Sequence, residues 1–132
     1  MSGKNHIMRV KTEEWVRQVF EVKKYYTGMI TVKGWKPGSA VLFLRKVGQA
    51  DSIIGYGTVA RIQGLDEMSE EERTMCRENG WEMAVTFSDV KQLASPLPVK
   101  ETKIGNWEAK GRYLHGRTLS DEVLESILSK AE

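Results

Sequence analysis

Hydrophobic and polar positions follow a helical period in three stretches of this chain. Each stretch begins after a residue that can cap a helix N-terminus, at Thr12, Ser69 and Ser120, and each has acidic residues in its first turn. Apolar side chains then recur at three- and four-residue spacing, and in the first stretch they are Trp15, Val16, Val19 and Phe20. We therefore predict three helices, with residues 25–28 as the exit from the first.

Other stretches have the pattern of β-strands. Residues 40–45 are a continuous apolar run up to Arg45, which predicts a strand buried on both faces or nearly so. Residues 53–62 are rich in apolar and β-branched side chains, and residues 81–87 alternate between apolar and polar side chains. Within the second of these strands Gly55 and Gly57 lie two residues apart and therefore share one face. We expect that the sheet bends there or that another group packs close to the backbone.

Glycine and proline mark the segments that we predict to be irregular. Residues 34–38 have the composition of a turn, and residues 47–52 that of a loop. Residues 95–99 contain two prolines, which cannot donate to a sheet, so we expect an irregular edge segment there. Residues 29–32 are predicted to form a short extended run, and residues 100–117 a loop with a brief helix or strand.

The order of these elements predicts an α+β fold. Short strands with bending glycines favour a small mixed or antiparallel β pseudo-barrel, partly open, with about three covering helices. A length of 132 residues suits one domain with a core of its own. We expect residues 11–132 to form that domain, and residues 1–10 to be flexible or to form a short first strand.

Composition narrows the class of protein. Hydrophobic residues make up 40% of the chain and charged residues 29%, as in ordinary globular proteins. No apolar run approaches the roughly 20 residues of a membrane span, and no apolar stretch after the start indicates a secretory signal. The only cysteine, Cys76, cannot form a disulfide or a cysteine zinc site within the chain. We predict a cytoplasmic protein that does not bind membranes.

The net charge of +2 conceals an uneven distribution. Residues 65–82 carry a net charge of −5 and residues 118–132 one of −3, which leaves +10 on the rest of the chain. If both acidic segments lie on the outside, the remaining surface could present a basic face to a polyanion. The alternative is that helix N-termini simply favour acidic residues. The sequence leaves both explanations open.

The sequence shows no motif of a metal site or of a known catalytic class. Two histidines and one cysteine do not provide metal-ligand spacing, so we expect neither a metal nor another cofactor. Gly-x-Ser-x-Gly and Walker motifs are absent from the sequence. His115 lies in a glycine-rich segment between Arg112 and Arg117, where it could bind phosphate or act as an acid or base. A solvated side chain is the simpler explanation.

Aromatic residues outside strands and next to Lys or Arg are typical of sites that stack a base while cations hold phosphates. One occurs in the turn at residues 34–38, a pair follows the first helix, and one lies among glycines near residue 110. The corresponding candidate base-binding residues are Tyr25, Tyr26, Trp35 and Trp107. We expect Trp15 and Trp81 to be buried in the core, which is also the alternative for each candidate.

Three segments resemble those of PUA-like domains, nearest the EVE type, which is related to YTH and ASCH domains. Residues 36–44, Lys-Pro-Gly-Ser-Ala-Val-Leu-Phe-Leu, are similar to a turn and apolar strand of that family. Residues 53–59, Ile-Ile-Gly-Tyr-Gly-Thr-Val, resemble its next strand, and residues 119–122, Leu-Ser-Asp-Glu, its late helix. Ser39 stands where the family usually has Asp.

This resemblance implies a pseudo-barrel that binds RNA, or a modified or flipped base in DNA or RNA, in a cleft between barrel and helices. By its position, Phe43 joins the aromatic residues that we place near such a cleft. The candidate phosphate-binding residues are Lys23, Lys24, Lys33, Lys36, Arg45, Lys46 and Arg112. Their contacts would set affinity and not sequence specificity.

Two other functions remain open. Residues 34–36, Gly-Trp-Lys, match the start of an ASCH motif, and some members of that branch are small amidohydrolases. Ser39 and Val41 stand where the motif has Glu and Arg, so the acid for proton transfer is missing. A hydrolase of modified nucleosides would depend on Lys36 with Thr31 or His115. The third possibility is a protein-interaction module that presents the acidic residues 66–82 to a basic partner.

Overall fold

The chain forms a six-stranded mixed sheet with three helices in the residues that the structure, a computed structural model, describes: 5–28, 32, 34–108 and 114–131. The strands are β1 (Asn5–Arg9), β2 (Lys24–Thr27), β3 (Ala40–Val47), β4 (Ala50–Gly64), β5 (Met83–Pro98) and β6 (Thr118–Leu119).

The three predicted helices are present. They are α1 (Glu13–Arg17), which continues as a π-helical segment over Gln18–Val22, α2 (Glu70–Asn79) and α3 (Asp121–Ala131). The predicted caps also form, because the side-chain oxygens of Thr12, Ser69 and Ser120 each accept a backbone N–H three residues later at 3.2 Å. Short 3-10 turns occupy Leu65–Glu67, Val99–Glu101 and Lys103–Asn106.

The sheet has the strand order β2-β5-β4-β3-β1-β6. β1 pairs with β3 in parallel, and the other neighbours pair antiparallel. The two edge strands, β2 and β6, do not pair with each other in the described part of the chain. The predicted α+β class is therefore confirmed, whereas a closed β-barrel is not what the chain forms.

Both faces of the sheet are covered, and β3 shows why its sequence is a continuous apolar run. Val41 and Phe43 point into a core cluster under α1, which includes Val19 and Phe87. Their neighbours in β3 belong to a second cluster on the other face, together with Ile127 of α3. A strand buried on both sides needs apolar residues at every position, as the sequence pattern predicted.

Gly55 and Gly57 combine the two effects expected of them. A Cβ atom at Gly55 would lie 2.4 Å from the Lys91 carbonyl oxygen and 2.5 Å from the Phe20 ring. The pairing of β4 with β5 also shifts register beside this point, between Ile53 and Gly55. The missing side chain lets the π-helical segment dock its Phe20 against the sheet where the sheet is irregular.

Two predictions of irregular backbone are wrong. Residues 25–28 are not merely a helix exit, because β2 pairs with β5, with Tyr25 opposite Val85. Residues 95–99 are mostly strand, since β5 continues to Pro98 and Leu97 lies opposite Ile53. Proline is tolerated there because the described strand β2 covers only the start of β5, so the later residues need no second ladder.

Smaller differences concern the connections. The segment predicted as a loop over residues 47–52 is a tight hairpin, in which Gly48 has a φ of +66°. Trp81 precedes β5 and does not share the apolar face of that strand. Of the extended run predicted over residues 29–32, only Val32 lies in the described residues, and it is buried. Within the described ranges, no helix combines the length and apolar character needed to cross a membrane.

The close packing at Gly55 yields a stability prediction. Gly55→Ala places a methyl group against backbone and ring atoms, so we expect the free energy of unfolding to fall by about 1–3 kcal/mol. Gly34→Ala is the control, because a Cβ there meets nothing within 4 Å. Urea denaturation followed by circular dichroism measures both. Equal stability of the two variants would contradict the packing described for Phe20.

Candidate functional site

A cavity of about 400 Å³ opens where β1, α1, β2 and the end of α2 meet. We call it the aromatic cleft. Its lining residues are Arg9, Lys11, Trp15, Tyr25, Tyr26, Thr27, Gly28, Trp81 and His115. Four of these nine side chains are large aromatic groups, and none is a carboxylate. The cleft therefore offers flat apolar surfaces beside positive charge.

The four aromatic rings of the cleft are in mutual contact. Tyr26 and Trp81 stack, with ring centroids 5.6 Å apart and planes at 13°. Trp15 meets Trp81 and Tyr25 edge-on, at centroid distances of 5.2 and 5.4 Å. Trp15, Tyr25, Tyr26 and Trp81 are all half-buried, so part of each ring remains open to a ligand. Such rings favour stacking with a planar group.

Backbone hydrogen bonds join the two segments that carry most of these rings, which are β2 and the residues directly after α2. The Trp81 N–H donates to the Cys76 carbonyl at 2.8 Å, which closes the C-terminus of α2. The Glu82 N–H then donates to the Thr27 carbonyl at 3.1 Å, so the chain after α2 lies against β2. A Cβ at Gly28 would lie 2.7 Å from the Gly80 oxygen, which shows how closely the two backbones approach.

Glu72 of α2 fixes one wall of the aromatic cleft. Its Oε2 accepts a hydrogen bond from the Tyr26 hydroxyl at 2.6 Å and also contacts the Lys24 ammonium. These partners, Lys24 first, lower the pKa of Glu72 despite its partial burial. Burial, followed by the bond to Glu72, raises the pKa of Tyr26. The carboxylate thus orients the Tyr26 ring and neutralises Lys24.

His115 also lines the aromatic cleft, and its hydrogen bonding defines its tautomer. The Arg9 backbone N–H donates to its Nδ1 at 2.9 Å, so Nδ1 carries no proton and Nε2 does. Burial, followed by the charges of Lys11 and Arg9, lowers the pKa of His115 below its ordinary value. The ring is therefore neutral at pH 7 and has one N–H donor.

A second cavity of about 400 Å³ lies at the β3–β4 hairpin, and we call it the hairpin cavity. Its lining residues are Arg9, Lys46, Gln49, Ala50, Asp51, Val99, Lys100, Gly105 and Leu114. Arg9 lines both cavities, and its Nη2 donates to Asp51 Oδ1 at 2.8 Å. The two cavities are therefore neighbours that share one cation.

Two of the aromatic residues predicted to bind a base lie in the cleft, and two lie in the core. Tyr25 and Tyr26 line the cleft. Trp35 is only 5% exposed and stacks on His6 with centroids 4.4 Å apart, and Phe43 is fully buried beside Phe87. The expectation that Trp35 and Phe43 face the cleft is wrong, because both rings close the apolar interior.

The remaining predicted residues are scattered. Trp107 packs against the second core cluster, and Arg45 pairs with Glu13. Lys23 and Lys36 are exposed and line neither cavity, whereas Lys46 lines the hairpin cavity. Lys24 pairs with Glu72 as described above. Lys33 and Arg112, together with Thr31 of the hydrolase hypothesis, lie outside the described residues.

Sequence reasoning missed several residues of the cleft. Trp15 and Trp81 were expected in the core, because a ring on a helical stripe or in an alternating strand is usually buried. Both do pack against core clusters, but they also line the cleft. Arg9 lies in residues 1–10, which were predicted to be either a short strand or a flexible start, and Lys11 directly follows them. One feature of the sequence could have identified these cations. They lie directly before the first helix, and Lys11 is four residues from Trp15.

The described residues contain no group of three or more His, Cys, Asp or Glu side chains placed to hold a metal ion. No family model matches the chain, and no curated protein matches its sequence. Comparison with solved structures, in contrast, finds similar proteins over nearly the whole chain.

Two of these structures are of the ASCH protein from Zymomonas mobilis and of a serine-to-alanine variant of it. The first is 13% identical, with a TM-score of 0.67, and covers 96% of this chain and 94% of that protein. The variant is 14% identical, with a TM-score of 0.66, over 96% and 95% of the two chains. The chain has the PUA-like fold of ASCH domains.

A hypothetical protein from Leishmania major has the same fold, with 19% identity, a TM-score of 0.62 and coverage of 96% and 94%. These similarities confirm the predicted fold, and membership of the PUA-like superfamily remains a prediction. The finer assignment to the EVE type is not confirmed, since the two similar structures of stated type are ASCH proteins.

The lowered pKa of His115 gives a prediction of pH dependence. Between the folded pKa and the ordinary value of 6.5, the unfolded chain binds more protons than the folded chain. The free energy of unfolding should therefore fall as the pH drops through this window. An NMR titration of His115 checks it directly. A pKa at or above 6.5, or a proton on Nδ1, would refute the described environment.

Proposed function

We propose that this protein is a nucleic-acid-binding module that holds an exposed or flipped base in the aromatic cleft. The observation that carries the proposal is the stacked pair of Tyr26 and Trp81 in the same cleft as Arg9 and Lys11, whose described lining has no carboxylate. Aromatic rings bind the face of a base, and the cations bind the phosphates attached to it.

The chemistry of each side of the cleft suits a different part of a nucleotide. Trp15, Tyr26 and Trp81 offer partly open rings for the base. The Nε2–H of His115 can donate to a ring nitrogen or carbonyl on the edge of that base. Arg9 and Lys11 can contact phosphate without reading sequence. A volume of about 400 Å³ is within the usual range of ligand pockets.

RNA is the partner that we favour. Sequence-specific RNA recognition targets unstacked bases in single strands and loops, which a stacking cleft can accept without opening a duplex. The PUA-like fold supports this choice, as does the resemblance found in the sequence. A modified or flipped base in DNA is the related alternative, and it pays the additional cost of leaving the helix. The cytoplasmic location remains a prediction.

A hydrolase of modified nucleosides is the second candidate. The ASCH fold and the neutral His115 in the cleft favour it. The other group that it would require among the described residues, Lys36, lies in an exposed turn that lines neither cavity. An interaction module based on residues 66–82 has less support, because Glu72 already bonds to Tyr26 and Lys24, and Glu67 accepts a hydrogen bond from the Gly64 N–H at 3.2 Å.

Removal of one ring tests base stacking. We expect Trp81→Leu to weaken the binding of a labelled single-stranded RNA by about 1–3 kcal/mol, because it removes one face of the stack. Trp81→Phe should recover part of this loss. Fluorescence polarisation measures the affinity, and circular dichroism verifies that each variant is folded. Wild-type binding should also weaken as salt rises.

Trp107→Leu is the matched control for that experiment, since Trp107 is also half-buried and also packs against a core cluster, but lines neither cavity. We expect it to bind RNA like the wild type. An equal loss in both variants, or no loss in Trp81→Leu, would argue against the aromatic cleft as the site of the base. A binding constant that does not change with salt concentration would argue against phosphate contacts.

Turnover separates binding from hydrolysis. If the protein only binds, incubation with a panel of modified nucleosides, including acylated cytidine and adenosine, leaves each compound unchanged in liquid chromatography. His115→Gln then changes affinity and nothing else. A product peak that disappears in His115→Gln would instead establish the second candidate function, with His115 as a group that contacts the substrate.

A further inference from the structure

The hairpin cavity is lined by more positively charged side chains than negatively charged ones. Three of its lining side chains are the cations Arg9, Lys46 and Lys100, and its one carboxylate is Asp51, so the lining carries a net charge of +2. Like charges that converge on one hollow repel each other unless an anion neutralises them.

The two lysines of the hairpin cavity are available to a ligand. Lys46 lies near the end of β3 and Lys100 in the 3-10 turn Val99–Glu101, and both are exposed. Neither forms an ion pair or a side-chain hydrogen bond with another described residue. Asp51 lies opposite Lys46 in the β3–β4 pairing, but its carboxylate contacts Arg9.

The contact between Arg9 and Asp51 is incomplete for a buried ion pair. Only Nη2 and Oδ1 are joined, at 2.8 Å, while Arg9 Nε and Asp51 Oδ2 are buried and have no hydrogen-bond partner among the described residues. The Asp51 side chain is 8% exposed and that of Arg9 20%. A pair optimised for stability would use both oxygens in a bidentate contact. This pair instead positions the guanidinium between two cavities.

The two cavities lie next to each other, because the same segments of the chain line both. Arg9 lines both of them, and the adjoining residues Leu114 and His115 line the hairpin cavity and the aromatic cleft respectively. The Arg9 N–H also bonds to His115, which ties this boundary together. Neighbouring binding positions that share a cation suit neighbouring units of a polyanion.

We propose that the hairpin cavity is a phosphate-binding subsite for the nucleotide next to the base held in the aromatic cleft. The ligand is then a polynucleotide, and a free nucleoside fills only part of the site. Lys46 and Lys100 bind the phosphate, and Arg9 connects it to the cleft. This inference rests on the proposed function, because it assigns the neighbouring position of the same ligand.

Charge-neutral variants of the two lysines test the subsite. We expect Lys46→Gln combined with Lys100→Gln to weaken binding of a short single-stranded RNA about tenfold at low salt, because two phosphate contacts are lost. The slope of log affinity against log salt should decrease in magnitude by about 1.4, at roughly 0.7 per contact on a single strand. Fluorescence polarisation over a salt series measures both quantities.

Two comparisons make the result specific to the subsite. Each of the four unmodified ribonucleosides, followed through the NMR signal of the Trp81 indole, should bind the double variant like the wild type. Arg61→Gln combined with Lys91→Gln removes the same charge from exposed residues that line neither cavity, and should alter RNA affinity less than twofold.

The outcomes distinguish this inference from the function on which it rests. Unchanged RNA affinity in the Lys46 and Lys100 double variant, with a wild type that binds RNA through Trp81, overturns the subsite alone. An equal loss in the control variant, or weakened nucleoside binding in the double variant, also overturns it. A wild type that binds no RNA at any salt concentration overturns both proposals.

Discussion

The parallel pairing of β1 with β3 is the constraint on which the candidate site depends. It places the N-terminal strand inside the sheet, between β3 and β6, with Arg9 opposite Leu44. The Val10 N–H donates to the Leu44 carbonyl at 2.7 Å and extends this pairing past the end of β1. Arg9 is thereby held between the two cavities, and its backbone N–H sets the tautomer of His115. A register shift of one residue would turn the Arg9 side chain to the other face of the sheet.

Two carboxylates hold side chains of the aromatic cleft and a neighbouring lysine in place, although neither carboxylate lines the cleft itself. Asp51 holds the Arg9 guanidinium at the boundary between the cavities, and Glu72 holds both Lys24 and the Tyr26 hydroxyl. Each acid neutralises one cation and orients a group that lines a cavity. The acidic segment 65–82 is therefore partly structural, because Glu72 and Glu67 make contacts within the fold. Positive charge remains on Lys11 at the cleft and on Lys46 and Lys100 at the hairpin cavity, since none of these three forms an ion pair with another described residue.

Local signals predicted the elements well where the decisive contacts are also local. Thr12, Ser69 and Ser120 cap their helices because a side-chain oxygen meets an N–H only three residues away. The double-sided burial of β3 follows from its continuous apolar run. Strand β2 was missed because Tyr25 and Tyr26 extend only through their pairing with residues 84–85, some sixty positions later. Its sequence alone resembles the end of a helix.

By itself the sequence determined the α+β class, the three helices and the glycine-dependent packing at Gly55. It also identified Tyr25 and Tyr26, beside basic residues, as candidates for a binding site. Only the tertiary structure decided which rings remain open. Trp35 lies in a turn but is buried against His6, whereas Trp81, expected in the core, stacks on Tyr26 in the cleft. The physical reason is that exposure depends on what packs against a side chain from distant segments. Residue type and spacing set the tendency of a ring to be buried, and the fold determines which rings find a partner and which line a cavity.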